Sequence, residues 1–433
     1  MSRPNILYIH SHDTGRYIQP YGYAVPTPNL QRLAEQGLLF RQAFCAAPTC
    51  SPSRAALLTG QAPHSCGMIG LAHRGFRLND YGQHIVHTLR KAGYASSLAG
   101  IQHVAKEPEQ IGYDRILDTQ TSRAEHVAPA AVEFLNAAPA QPFFLSVGFF
   151  ETHREFPEPG PAEDDRYCRP PAPVADTPAN RRDMAAFMAS ARIYDAAVGE
   201  VLAALDANGL ADNTLVISTA DHGVAFPGMK CNLTDHGIGV MLIMRGPGGF
   251  VGGKACDALV SQIDLFPTIC DLLQIAPPDW LQGKSLLPVV SGEVEDVNEA
   301  VFAEVTYHAA YEPKRAARTR RWKYIRRYDD RSGPVLPNCD DGPGKDLWLE
   351  HGWRDRRPGA EQFYDLVFDP NEAHNLVGET SAAEALDEMR DRLDRWMQDT
   401  ADPLLDGAVR APSGAVVNDP DSLSPRDPSH VVA

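Results

Sequence analysis

The sequence predicts an α/β protein in which a large, mainly parallel sheet is sandwiched by helices, followed by a smaller C-terminal α+β subdomain. Three observations predict it. Continuous apolar runs of strand length occur at 142–150, 214–218 and 240–244, the pattern of strands covered on both faces. Helical stretches with start and stop signals alternate with such runs, as a parallel sheet requires. After about residue 297 the pattern changes to short strands and one amphipathic helix.

Taken in order, Asn5-Ile6-Leu7-Tyr8-Ile9-His10 reads as the first strand. Thr27-Pro28 then supplies an N-cap and a first-turn proline, Leu30, Leu33 and Ala34 form a helical stripe, and Gly37 ends it. The run from Pro142 to Phe150 is a buried strand, and so are Thr214–Ser218 and Val240–Met244. A long helix lies between the first two runs, starting at Thr177-Pro178 and stopping at Gly209. Met184, Phe187, Met188, Ala191, Val198, Leu202 and Leu205 mark its buried face. The stretch 155–176, rich in Pro, Asp and Glu, reads as a long loop near the active-site edge. Val301–Val305 and Trp322–Ile325 are strands of a smaller sheet, and Leu386, Met389, Leu393 and Trp396 mark a helix. The expected units are a catalytic domain over 1–297, a subdomain over 298–400 and an irregular tail over 401–433. No internal repeats occur.

Composition narrows the function classes. The chain has 433 residues, 43% of them hydrophobic, enough for one large core and a smaller one. A net charge of −16 opposes binding to nucleic acid or to an anionic membrane, and no run of eighteen apolar residues is present. An anionic substrate must therefore be drawn by local cations. No apolar targeting segment precedes the first strand, so a cytoplasmic location is expected. The eight cysteines, at 45, 50, 66, 168, 231, 256, 270 and 339, show no C-x-x-C spacing and, position 50 aside, read as free thiols.

Residues 50–60 carry the chemistry: Cys50-Ser51-Pro52-Ser53-Arg54-Ala55-Ala56-Leu57-Leu58-Thr59-Gly60. Pro52 lacks an N–H and suits a first helical turn, which places the side chain of Cys50 just before a helix N-terminus. Unpaired N–H groups and the positive dipole end there favour an anion. Two further pairs follow strands: His12-Asp13 after the first, and Asp221-His222 after the strand ending in Ser218-Thr219-Ala220. Carboxyl ends of strands are where open α/β sheets bind ligands.

The 50–60 segment resembles the signature C-x-P-S-R-x-x-x-L-T-G of the formylglycine-dependent sulfatases, in the alkaline phosphatase superfamily. The resemblance extends through Thr27-Pro28-Asn29-Leu30, Leu39–Phe44, Gly283–Pro288 and Phe363–Leu366, from about residue 4 to 400. Within the family the chain is most similar to the heparan N-sulfatase (sulfamidase) branch, through Cys50–Gly60, Gly67–Leu71 and Thr177–Gly223. It implies the alkaline-phosphatase-like sulfatase fold. It also implies that Cys50 is converted to formylglycine by a formylglycine-generating enzyme, and that one divalent ion is bound by His12, Asp13, residue 50, Asp221 and His222. His12 stands where the family has an aspartate. Calcium is the family's metal, but calcium prefers oxygen ligands, so His12 and His222 bring manganese or zinc into consideration.

The same resemblance assigns the remaining roles. Arg54 and the metal ionise one hydroxyl of the hydrated aldehyde, which attacks sulfur. Lys230 holds the sulfate and the bridging oxygen. His153 protonates the departing alcohol or amine. His103 takes the proton of the second hydroxyl as sulfate leaves. Ile101 replaces a lysine of the family, and loss of one such donor costs about 3–4 kcal/mol of transition-state stabilisation. His73, Arg74 and Lys106 are the candidates to replace it in binding substrate. The implied substrate is a small sulfated molecule, a carbohydrate above all, cleaved at an ester or an N-sulfate. Phosphonate monoester or phosphodiester hydrolysis, known in the same superfamily with an Asp-His pair, is the alternative within enzymes. An inactive anion-binding relative is the alternative outside them, and self-association into a homo-oligomer is left open.

Overall fold

Eight strands form the main sheet of the computed structural model, which describes residues 3–433; residues 1 and 2 of the expected first domain lie outside the described residues. In chain order they are β1 (Asn5–Ser11), β2 (Leu38–Phe44), β3 (Ala95–Gly100), β4 (Arg115–Ile116), β5 (Phe143–Gly148), β6 (Thr214–Ala220), β7 (Leu242–Arg245) and β8 (Lys254–Ser261). Across the sheet they run β4-β3-β5-β1-β6-β7-β2-β8. Only β7 is antiparallel to its neighbours, so the sheet is mainly parallel. β1 and β6 are buried at all 7 positions, because both faces are covered. Ile6, Leu215 and Ile217 point into one core, and Leu7, Ile9 and Val216 into the other, the alternation that a pleated strand imposes.

Helices of nine residues or more are α1 (Pro28–Gln36), α2 (Cys50–Thr59), α3 (Ala124–Asn136), α4 (Pro178–Ala207) and α5 (Ala383–Asp399). Leu30 and Leu33 of α1, Val127 and Leu135 of α3, and Val198, Val201 and Leu205 of α4 pack on one face of the sheet. Ala55, Leu57 and Leu58 of α2 pack on the other. The start of α1 departs from the local expectation. Thr27 makes no capping bond. Instead the Asp195 carboxylate of α4 accepts from the backbone N–H groups of Asn29 and Leu30, at 3.1 and 2.8 Å. A carboxylate suits the positive end of a helix better than a hydroxyl does.

A second sheet, wholly antiparallel, comprises β9 (Val301–Tyr307), β10 (Tyr311–Arg318), β11 (Trp322–Arg327) and β12 (Glu361–Asp365), in the order β12-β11-β10-β9. Val301, Ala303, Val305 and Tyr307 face the main core, whereas Tyr324 and Phe363 face Leu386, Met389 and Leu393 of α5. Each fully buried Leu or Phe contributes about 1.5–3 kcal/mol, so this sheet is bound to both the main core and α5. The tail, expected to be irregular, consists mostly of turns and loops with one short paired element. Residues 416–418 (β13) and 429–431 (β14) pair as a two-stranded antiparallel sheet. Ala415 and Val417 are buried in the main core and tie this polar segment to it.

The strand register sets up the site. Ser11 of β1 lies opposite Ala220 of β6, so His12-Asp13 and Asp221-His222 leave the sheet side by side. On the other flank of β1, His10 pairs with Gly148 of β5, and Gly148 with Gly100 of β3. Gly148 is required by this close approach: a Cβ there would lie 2.0 Å from the Ile101 carbonyl and 2.4 Å from the His10 ring. Segments carrying His103, His153, Asp13 and Asp221 thus emerge from four adjacent strand ends.

Candidate active site

Cys50 is the first residue of α2 and is 2% exposed. The helix starts one residue earlier than the sequence suggests, because Ser53 N–H already donates to Thr49 O at 3.0 Å. The Ser53 hydroxyl donates to the Asp221 carbonyl at 2.6 Å, locking α2 against the end of β6. Cys50 Sγ lies 3.3 Å from His222 Nε2. Burial pushes the thiol well above its usual range, so an unmodified Cys50 would be a neutral, unreactive thiol.

Beside it lies a buried set of donors. Asp13 Oδ1 is 3.4 Å from His222 Nε2, and Asp221 Oδ2 is 3.2 Å from His12 Nδ1. Arg54 reaches in from α2, donating to Asp221 Oδ2 at 3.0 Å and to the Ser11 carbonyl at 2.8 Å, with a further bond to His10 Nδ1. Burial alone would raise the Asp221 carboxyl, but His222, Arg54 and His12 outweigh it and hold the group well below the usual carboxylate range. Burial, reinforced by Arg54, lowers the His12 imidazole well below its usual value. His12 is therefore a neutral ring, the form that ligates metals.

Lys230 is also buried, with Nζ 2.8 Å from Asp13 Oδ2 and 3.1 Å from Asp340 Oδ2. Burial opposes the ammonium charge, yet these two carboxylates hold Lys230 well above the usual lysine range. His153 Nε2 is 3.4 Å from Lys230 Nζ, while its Nδ1 bonds the Arg154 carbonyl and fixes the ring with Nε2 turned inward. His103 sits at φ 54° just beyond β3 and bonds His73, Nε2 to Nδ1, at 2.9 Å. Of the three candidates to replace the missing lysine, only His73 joins this cluster. Arg74 donates to Asn418 Oδ1 at 2.8 Å, tying itself to the tail, and Lys106 is exposed.

Three residues of the site have no motif to announce them. His10 shares a strand face with His12, a period-of-two relation that the sequence does contain. Asp340 and His308 come from the second sheet's segments, far along the chain. Burial would raise Asp340, but Lys230 and then His308 hold it well below the carboxylate range. His308 is kept neutral by burial and by Lys230.

The arrangement fits a bound cation. His12, Asp13, Cys50 and Asp221 offer ligand atoms within 4.8 Å of one another. Nε2 of His12 and Oδ1 of Asp13 are buried without a hydrogen-bond partner among the described residues. Buried polar atoms left open in this way call for a ligand.

Comparison with known proteins follows the same lines. The family model described as Sulfatase matches residues 4–275, and that described as N-sulphoglucosamine sulphohydrolase, C-terminal, matches residues 229–343. N-sulphoglucosamine sulphohydrolase of Homo sapiens is 30% identical over 98% of this chain and 95% of the relative. Delta 4,5-hexuronate-2-O-sulfatase of Bacteroides thetaiotaomicron is 27% identical over 92% of this chain and 90% of the relative. A solved protein in complex with its substrate D-glucosamine-2-N,6-O-disulfate has a TM-score of 0.72 at 19% identity, covering 92% of this chain and 98% of that one. A 2-O GAG sulfatase has a TM-score of 0.72 at 22% identity, covering 95% of each chain. At these identities the solved structures establish the shared fold.

Proposed function

The chain belongs to the sulfatase family, with its alkaline-phosphatase-like fold, and from that premise we propose that it hydrolyses a sulfate ester or N-sulfate on a sulfated sugar. The observation that carries the reading is the meeting of Cys50, at the first turn of α2, with Asp13, Asp221, His222 and Lys230 at adjacent strand ends. The sugar part draws on the human relative's N-sulphoglucosamine and on the neighbour solved with a glucosamine disulfate.

Formylglycine formed at position 50 would supply the nucleophilic oxygen, and a divalent ion would be held by His12, Asp13, Asp221, His222 and residue 50 and would supply positive charge beside it. The remaining residues act directly. The Lys230 ammonium, kept charged by Asp13 and Asp340, holds a sulfate oxygen and meets the negative charge that develops as the bond to sulfur breaks. His153 Nε2, next to Lys230, delivers a proton to the departing oxygen or nitrogen. Arg54 orients the Asp221 carboxylate through its bonds to Asp221 and Ser11. His103, bonded to His73 at 2.9 Å, is placed to receive the proton released on the opposite side. Asp340, with His308 beside it, keeps the Lys230 ammonium in place.

Turnover of a panel of N- and O-sulfated mono- and disaccharides, measured beside an aryl sulfate and a phosphodiester, tests this reading. Preference for one sulfated sugar is the expected result. Faster turnover of the phosphodiester than of every sulfated compound would replace it with the phosphodiesterase reading.

A further inference from the structure

His10 is an imidazole in a strand that is buried at every position, and it is itself 2% exposed. A buried ring nitrogen costs free energy unless it finds a partner. Two neighbours fix where the ring sits. The Tyr8 ring, two positions earlier on the same strand face, stacks on it with 4.6 Å between centroids. Gly148 of β5 leaves it room, since a Cβ there would lie 2.4 Å from Cε1 and 2.8 Å from Nε2. Held this way, the ring turns one nitrogen to each of two partners. Nδ1 meets Arg54 Nη1, and Nε2 lies 3.4 Å from Ser146 Oγ.

The partner decides the tautomer. A guanidinium is always protonated and only donates. Nδ1 of His10 is therefore the bare, accepting nitrogen, and Nε2 carries the proton and donates to Ser146. The other arm of the Arg54 fork is committed as well: Nη2 donates to the Ser11 carbonyl at 2.8 Å and to Asp221 Oδ2 at 3.0 Å. His10 and Ser11 are consecutive on β1, so the end of one strand clamps both arms of the fork. Nε is left over. It is buried without a hydrogen-bond partner among the described residues, on the stem side of a residue four positions along α2 from Cys50 and on the same helix face. A buried N–H of a cation that no protein group takes calls for a ligand.

We propose that His10 is a positioning residue of the active site: by accepting from Nη1 it completes the clamp on Arg54, so that the Nε–H edge stays free for the oxygen formed at position 50. The clamp stands on the geometry alone, whereas the use of the free edge rests on the formylglycine reading above. Without an acceptor at Nδ1 the fork loses one of its three bonds, and the guanidinium can turn its Nε–H away from residue 50. His10 is too deeply buried to touch a substrate, so its removal falls on the chemical step and not on substrate binding.

The test compares three variants of the full chain on the sulfated compound that the parent cleaves fastest, with kcat normalised to the aldehyde content of position 50 read by mass spectrometry. His10→Leu fills the space without an acceptor, and should lower kcat by about 10–100-fold with KM within about twofold of the parent. His10→Gln, which places its amide near the Nε2 position, should lose as much. His10→Asn puts a carbonyl oxygen where Nδ1 stands and should recover most of kcat. Both amide variants are polar, so the comparison survives if His10→Leu does not fold. Independently of turnover, the ¹⁵N shifts of His10 in histidine-labelled protein, assigned by their loss in His10→Asn, should show a protonated Nε2 and a bare Nδ1. Parent-like kcat in His10→Leu and His10→Gln would overturn the role. So would equal losses in His10→Gln and His10→Asn that follow their thermal unfolding. A protonated Nδ1 would overturn the clamp itself. An active parent with no aldehyde at position 50 would instead remove the formylglycine reading, and with it the use of the Nε–H edge, leaving the ¹⁵N shifts to decide the clamp.

Discussion

Among the described residues, two buried clusters bring imidazole and carboxylate atoms within 4.8 Å of one another: His12, Asp13, Cys50 and Asp221 beyond the strand ends, and His64, Glu304 and Asp402 between the second sheet and the tail. They differ in what completes them. In the second cluster Arg315, itself fully buried, donates to both Asp402 oxygens at 2.5 and 3.0 Å, and to the Val305 carbonyl at 3.0 Å. Glu304 accepts from the His64 backbone N–H at 2.9 Å and bonds its Nδ1. Both clusters hold cations of their own, but in the second the polar atoms are paired except His64 Nε2, whose ring stands edge-on to Trp396. The first cluster leaves His12 Nε2 and an Asp13 oxygen open. Proximity of ligand-type side chains is therefore a weak criterion for a metal. The unsatisfied valence separates a site that binds from a network that holds the chain together.

The sharpest way to break this contrast is at Cys50. Cys50→Ala should lower turnover by about 10⁴-fold or more, as loss of a nucleophile does, with thermal unfolding near that of the parent. In protein made with the converting machinery, mass spectrometry of the tryptic peptide from Gln42 to Arg54 should show an aldehyde or its hydrate at position 50. A fully active preparation with an unmodified thiol there would remove the chemical premise of the first cluster.

Asp402→Ala makes the opposite kind of change. It removes the bidentate partner of Arg315 and leaves Glu304, 3.8 Å away, as its remaining carboxylate, which costs up to about 3–5 kcal/mol of stability. Denaturant unfolding should show that loss, while turnover per folded molecule stays near the parent value. A metal-dependent loss of activity in this variant would mean that the two clusters are not different in kind.

Lys230 tests the first cluster at its cation. Lys230→Ala should depress turnover by roughly a hundredfold, the effect of losing one preorganised charge at the transition state. The variant also relieves Asp13 and Asp340 of their shared partner, so its unfolding must be measured alongside. Near-normal activity with native stability would return Lys230 to a purely structural role.

How much of this was legible in the sequence follows from the range of the interactions. The pairing of His12-Asp13 with Asp221-His222 could be read because each pair directly follows an apolar run, and parallel strands end together. The helix at Cys50 could be read to within one residue from Pro52 and Gly60. Asp340 and His308 could not, because they reach Lys230 through packing of the second sheet, for which no local spacing exists. Arg74 looked like an anion ligand by charge alone, yet the β13 segment takes its donors. The tail read as irregular for the same reason: its few apolar residues, Ala415 and Val417, find their partners in the main core. The start of α1 repeats the lesson, since its capping carboxylate, Asp195, lies in another helix.

His12 gives the smallest and most discriminating effect. It occupies the place of an acidic ligand, and its neutral ring lowers the negative charge around the ion site. A neutral nitrogen ligand favours manganese or zinc over calcium, which is bound best by oxygen. His12→Asp should then shift relative affinity toward calcium by about tenfold, the lower end of what changing a metal's surroundings does. The readout is reactivation of chelator-treated enzyme with each ion in turn. The competing role is contact with the substrate sulfate, in partial compensation for Ile101. The His12 ring centroid lies 5.7 Å from those of both His103 and His153, so a sulfate group between them would be within its reach. The two roles part in a metal-bound structure. An imidazole nitrogen of His12 at ligand distance supports the metal role. A ring turned toward sulfate, with Asp13, Asp221, His222 and residue 50 completing the shell, would defeat it, and His12→Asp would then raise KM and leave the metal preference unchanged.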